Sequence, residues 1–142
     1  MQNIILLGGR RFVRSLCFGA LVACCVGCGE KRAPVRGKAT VDGKALDSKL
    51  ITILFAPDKG NALQKIPFAP LDENGNYTMT TGDSAGVPLG CYKVYVRWDS
   101  KNSKGQPCPV HARFLDSAQT TLSVEVVANP QPEAYDLKFT LD

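Results

Sequence analysis

The feature that most constrains this chain is a repeated alternation of apolar and polar residues at period two, in runs too short and too regular for helices. Tyr92, Val94, Val96 and Trp98 fall on one face of an extended segment, and Cys91, Lys93, Tyr95 and Arg97 on the other. Such alternation places every second side chain in a core and is the signature of a half-buried strand. Val35, Gly37, Ala39 and Val41 repeat it, interleaved with Arg36, Lys38, Thr40 and Asp42 before an Asp42-Gly43 turn. Further strands are expected at Leu122, Val124 and Val126, and at Tyr135, Leu137, Phe139 and Leu141. The nearly unbroken apolar run 50–56, stopped by Pro57, reads as a central strand covered on both faces. Pro67 reduces 66–71 to a sheet edge. The Asp72-Glu73-Asn74-Gly75 turn leads into Tyr77, Met79 and Thr81 on one face, residues 99–109 form a polar loop, and 110–117 are irregular or one helical turn. No segment carries the period of a long amphipathic helix. An all-β fold follows, a small antiparallel β-sandwich of six to seven strands joined by Gly, Asn and Pro turns.

The first 32 residues do not fit that pattern. Residues 1–14 hold three arginines and no acid, residues 15–27 are apolar, and Glu30, Lys31 and Arg32 end the run abruptly. The apolar stretch has the length of an export-signal core and is shorter than the ~20 residues a spanning helix needs. The formal charge of +4 therefore misleads: without Arg10, Arg11 and Arg14, fourteen basic residues face thirteen acidic ones. A near-neutral body with interspersed charges gives no electrostatic case for a nucleic-acid partner.

Leu21-Val22-Ala23-Cys24 resembles a lipobox, the motif read by the lipoprotein signal peptidase, in which a small residue precedes a cysteine that takes a diacylglycerol. Cys25-Val26-Gly27-Cys28 fits the same pattern less well, so Cys24 is the preferred lipidation site and Cys28 the alternative. The resemblance implies a signal peptide over 1–23, a lipidated tether over 24–34 and a folded domain over 35–142. It also implies a cell-envelope lipoprotein, periplasmic or surface-facing, whose first partner is the lipid bilayer through palmitate-like chains on the acylated cysteine. A single acyl chain holds a protein only marginally, whereas two or three on one residue anchor it durably. The absence of Asp beside either cysteine leans toward an outer membrane.

Three ordered motifs in the body resemble the carboxypeptidase regulatory-like domain, a transthyretin-like (prealbumin-like) sandwich. They are Val35-Arg36-Gly37-Lys38-Ala39-Thr40-Val41-Asp42-Gly43-Lys44-Ala45-Leu46, Asp72-Glu73-Asn74-Gly75-Asn76-Tyr77, and Val87-Pro88-Leu89-Gly90-Cys91-Tyr92-Lys93-Val94. Cys91 departs from the polar residue usual between Gly and Tyr, and the loop carrying Cys108 is longer than such a sandwich needs. The resemblance implies a fold and a non-catalytic role, and no particular substrate.

Residue chemistry points the same way. His111 is the sole histidine, and no acid is recognisable to orient a Cys108–His111 pair. Asp72, Glu73 and Asn74 are too few for the six to eight oxygens calcium takes, and turn formation accounts for them. No cofactor motif, phosphate loop or metal set is visible, and no enzyme activity is expected. Cys91 and Cys108 are the only cysteines in the body of the chain. In an oxidising compartment they invite a disulfide, worth about 3 kcal/mol in the chain-entropy model, against the alternative of two unpaired thiols. Tyr77, Tyr92 and Trp98 share inward parity and default to core. Should the strand fray near Asp99, Trp98 and Tyr95, with the loops 61–65 and 101–106, become candidate contacts for a glycan. Two functions remain: a membrane-anchored, non-catalytic binding or structural module, and a carbohydrate- or peptide-binding accessory protein of an extracellular enzyme system, its partner a cell-envelope protein or glycan.

Overall fold

The structure, a computed structural model, describes residues 30–46, 49–61 and 65–142. Both lipidation candidates, Cys24 and Cys28, lie outside the described residues. The described chain is built of strands: β1 (Arg32–Ala33), β2 (Arg36–Val41), β3 (Lys44–Ala45), β4 (Ile51–Pro57), β5 (Phe68–Pro70), β6 (Asn76–Thr78), β7 (Thr80–Thr81), β8 (Ser84–Ala85), β9 (Val87–Pro88), β10 (Gly90–Trp98), β11 (Ser123–Val126) and β12 (Leu137–Phe139). One 3-10 turn, Ala112–Leu115, interrupts them.

Two main sheets face each other. The larger has the order β11-β10-β4-β5-β7-β8, and the smaller groups β12, β3 and β6 around β2. The inward residues Ile51, Ile53, Phe55, Tyr92, Val94 and Val96 of the first meet Ala39, Tyr77, Leu137 and Phe139 of the second in one buried cluster. Burying each large apolar side chain contributes about 1.5–3 kcal/mol, so the alternating positions identified above are what hold the sheets together. Phe114 adds an edge-on contact to Phe139, with ring centroids 5.2 Å apart. The fold is thus all-β, an antiparallel sandwich with one exception: β12 runs parallel to β2, with Phe139 opposite Val41.

Three expectations need adjusting. The sandwich starts before residue 35: β1 pairs with β9, Ala33 opposite Val87, and Ala33 is 2% exposed. A small apolar side chain just before Pro34 fits the core, so the folded part begins earlier than the polar composition of 30–34 suggested. Second, 66–71 is not a sheet edge, because β5 lies between β4 and β7; it is cut to three residues, preceded by Pro67 and ending on Pro70. Pro67 still serves the ladder as an acceptor, its carbonyl taking the Phe55 N–H at 3.0 Å. Third, the single alternating run through Tyr77, Met79 and Thr81 is divided: β6 pairs with β2 in one sheet, and β7 with β5 in the other. Met79 sits at the crossing, its N–H on the Val35 carbonyl at 2.9 Å and its side chain fully buried. Alternation survives the switch because both sheets face one core.

The turn motifs act through hydrogen bonds. Asp72 Oδ1 accepts the N–H groups of Asn74 and Asn76, each at 2.8 Å, and Oδ2 accepts from the Asn76 amide at 3.0 Å. Tyr77 donates its phenol to the Tyr135 carbonyl, and burial pushes that phenol well above its ordinary pKa. Tyr92 likewise donates to the Pro88 carbonyl at 2.8 Å. Both tyrosines are core residues whose one polar atom is satisfied.

Candidate functional site

β4 and β10 form the backbone of the larger sheet, paired from Tyr92 opposite Pro57 to Trp98 opposite Ile51. Pairing continues past Trp98, where the Asp99 N–H reaches the Leu50 carbonyl at 2.9 Å. The strand therefore does not fray, and the indole of Trp98 is held half-buried against the core. It nevertheless reaches the surface. Trp98 and Arg97 line two adjoining clefts on the sheet's outer side. One, of about 410 Å³, is completed by Lys49, Leu50, Thr52, Asp99, Ser100 and Lys101. The other, of about 400 Å³, is completed by Leu54, Tyr95, Val96 and Leu115. Tyr95 and Trp98 both line the second cleft, but they alternate to opposite faces of the strand, and the fraying that the glycan-contact expectation needed does not occur.

The clefts differ in chemistry. Across the sheet, Tyr95 stands opposite Leu54 and Leu54 opposite Phe68, an apolar row with Phe68 39% exposed. The 50–56 strand is therefore covered fully on its inner face and only partly on its outer one. The neighbouring cleft is polar and cationic. Lys49 is held by Glu73 at 2.7 Å, but Arg97 and Lys101 are exposed and have no ion-pair partner among the described residues. Asp99, the carboxylate of this cleft, is occupied: Asn102 donates its amide to Oδ2 at 2.6 Å and its backbone N–H to Oδ1 at 3.3 Å. The Asn102 amide bond is the main reason its carboxyl titrates below the ordinary value. Ser103 is buried and donates to the Ser100 carbonyl at 2.8 Å, so the polar loop 99–109 is internally bonded.

Other sequence candidates separate. Asn61 donates its side-chain amide to the Cys91 carbonyl at 3.2 Å, which puts the start of the 61–65 loop at the opposite end of β10 from Trp98. The two loops proposed as joint contacts do not converge; residues 62–64 lie outside the described residues. Cys91 and Cys108 are both free thiols, the first exposed and the second half-buried. The expected disulfide is not made. Cys91 leaves the outward face at the start of β10, whereas Cys108 follows the loop beyond the strand's other end and packs against the core. His111 is half-buried rather than solvent-exposed: its Nδ1 accepts the Arg113 N–H at 3.1 Å and starts the 3-10 turn. A hollow of about 320 Å³ beside Asp72 and Tyr77 offers no free carboxylate, because the turn's own donors occupy Asp72. Among the described residues no group of three or more His, Cys, Asp or Glu side chains is placed to hold a metal ion, and no helix is long and apolar enough to cross a membrane.

Sequence does not single out Arg97, and it marks Lys101 only as the first residue of the 101–106 loop. Arg97 was visible as an outward residue of β10, but nothing local distinguishes it from a solvated lysine or arginine on any strand. No protein-family model matches the chain, and neither a curated protein nor a solved structure matches it significantly.

Proposed function

We propose that the chain is an exported lipoprotein, anchored through Cys24, whose sandwich is a non-catalytic module that binds its partner at the Trp98 clefts. The single observation that carries this reading is the arrangement of β10. Its first residue lies beside the point where the tether enters the fold: the Leu89 N–H bonds the Lys31 carbonyl at 3.1 Å, and Arg32 pairs with Pro88. Its last residue is Trp98. Nine extended residues span about 26 Å, so the point where the chain enters the fold at Arg32 and the clefts fall at opposite ends of one strand. The eight residue steps from Cys24 to Arg32 reach at most about 28 Å. That tether would hold the Gly90 end of the strand within about 28 Å of the acylated cysteine. The three motifs similar to carboxypeptidase regulatory-like domains accord with a non-catalytic scaffold, with the transthyretin-like topology part of the proposal. The co-location of Tyr95 and Trp98 favours the carbohydrate-binding accessory role over a purely structural one.

The anchor is tested by feeding cells that express the full chain an alkyne-tagged palmitate. Label is expected on the wild type and lost in Cys24→Ser. Label retained in Cys24→Ser and lost in Cys28→Ser moves the anchor to the alternative site. An unlabelled wild type overturns the lipoprotein reading.

A further inference from the structure

We infer that β11 is a self-pairing edge: two copies of this chain join β11 to β11, antiparallel about a twofold axis at Val124, into one continuous sheet. The inference goes beyond the binding-module reading and does not depend on what the Trp98 clefts hold.

The first observation is an open ladder. β11 ends the larger sheet. Tyr92 pairs with Val124, and the Val94 N–H bonds the Leu122 carbonyl at 2.9 Å, so the main-chain groups of Leu122 and Val124 are directed to β10. Those of Ser123 and Glu125 therefore point the other way. Both residues are exposed, and among the described residues neither has a main-chain partner on that side. The next outward donor, the Val127 N–H, is taken by the Tyr135 phenol at 3.2 Å, which ends the open stretch. Exposed edges are ordinarily blunted by proline, bulges, several charges or shortness. Ser123-Val124-Glu125-Val126 has one charge and no proline. It is also longer than the edge strands β3 and β8, of two residues each, and β12, of three.

The second observation, self-complementarity, selects a second copy as the occupant. With the axis at Val124, Ser123 of each copy faces Glu125 of the other, and each such pair exchanges both of its N–H···O bonds. On the outer face Lys93 stands beside Ser123, and Cys91 beside Glu125. Across the joined sheet a row then runs from Lys93 through Ser123 to Glu125 of the second copy. Strands lie about 4.8 Å apart, so two spacings separate lysine from glutamate, with only a serine between. Their long side chains close that span, and the axis repeats the pair. In the single chain neither Lys93 nor Glu125 has an ion-pair partner among the described residues; the twofold supplies one to each and sets no like charges opposite. On the inner face Val124 meets Val124 of the second copy. Val124 and Leu122 are only partly buried at the margin of the core, and pairing adds to their cover. An unrelated strand offered to this edge meets the same backbone groups without the matched charges. An isologous contact of this kind closes after two copies and does not propagate. Where the chain is acylated, the pair carries two anchors, and its hold on a bilayer exceeds that of either alone.

The full chain, purified in detergent micelles, is measured by analytical ultracentrifugation with the detergent mass accounted for. A mass of two chains that dissociates on dilution is expected. Two acylated chains in one micelle would mimic this, so variants decide. Glu125→Pro removes an N–H that faces the open edge and spares the β10 ladder; it should be monomeric with an unchanged circular dichroism spectrum. Glu125→Lys should raise the dissociation constant about tenfold, and adding Lys93→Glu to it should restore the wild-type value. In a Cys91→Ser background, Val124→Cys sets two thiols at a non-hydrogen-bonded pair with Cα atoms about 4.5 Å apart, within disulfide reach. Copper–phenanthroline should crosslink that variant into a dimer and Ser123→Cys far less. The inference is overturned by a wild-type chain that is monomeric at every concentration, by a dimer that Glu125→Pro or Glu125→Lys leaves unchanged, or by equal crosslinking at 123 and 124. A wild-type monomer whose Ser123 and Glu125 amides exchange freely with solvent leaves the edge for a strand of another protein and equally discards the second copy. A missing palmitate label bears on the anchor alone, since β11 pairing needs no acyl chain.

Discussion

Asp72 shows how much one side chain does in this fold. Its carboxylate gathers three N–H donors from its own turn, and the side-chain bond from Asn76 is the main cause of a carboxyl pKa below its ordinary value. Because the folded pKa is the lower one, the turn's contribution is complete above the unfolded value and is lost as pH falls through the folded value. Acid unfolding below about pH 4 should therefore be less steep in Asp72→Asn, whose stability at neutral pH should be lower; superimposable urea midpoints for both proteins across that range would contradict this. Gly75 completes the turn at φ +77°, and an added Cβ would stand 2.7 Å from the Ala39 carbonyl oxygen. Gly75→Ala is expected to cost about 1–3 kcal/mol in chemical denaturation. Both effects were foreshadowed by the D-x-x-G-x-Y spacing, since Asp and Gly have these turn roles wherever the chain reverses.

At the scale of elements, β10 does most of the organising. It pairs with β4 and β11, supplies Tyr92, Val94 and Val96 to the core, and carries the clefts on its outward side. Tyr92 packs its ring on Phe55, centroids 5.8 Å apart, and donates to the Pro88 carbonyl, bracing the strand's entry. Tyr92→Phe keeps the ring and strands that carbonyl, so a loss of about 1–2 kcal/mol is expected from urea unfolding, with the circular dichroism of the folded state unchanged. The 3-10 turn carrying Phe114 and Leu115 starts on His111, a residue that sequence alone left without a role. Local spacing was no guide there, because the capping bond spans two residues in a segment with no periodicity.

At the scale of the whole molecule, the free thiols test the fold. Cys91 lies exposed near the start of β10; Cys108 packs against the core past the far end of the strand. Maleimide added without reductant should modify Cys91 rapidly in the native chain and Cys108 more slowly, and a mature-protein mass lowered by loss of both thiol hydrogens would show the pairing instead. The sheet's order also governs what the outer surface can recognise. β10 is paired with β4 along its length but with β11 only over Gly90–Lys93, so the half of the strand that carries Tyr95 and Arg97 on its outward face has a strand partner on one side alone.

Alternation, turn residues and composition were enough to read the fold class and most of the core, because periodicity is a local property: Val94 and Val96 face inward wherever the strand lies, and Gly75 must turn wherever Asp72 begins. Neighbours distant in the chain were not legible. That Ala33 joins the core, that Met79 marks a change of sheet, and that Cys91 and Cys108 remain unpaired depend on which strands lie side by side. The clefts belong to the same class. Trp98 has core parity and Arg97 solvent parity, yet the end of β4, the 99–101 turn and Leu115 bring both to one surface. Strand pairing across long loops sets that meeting, and the cost and register of such contacts are fixed only when the whole sandwich closes.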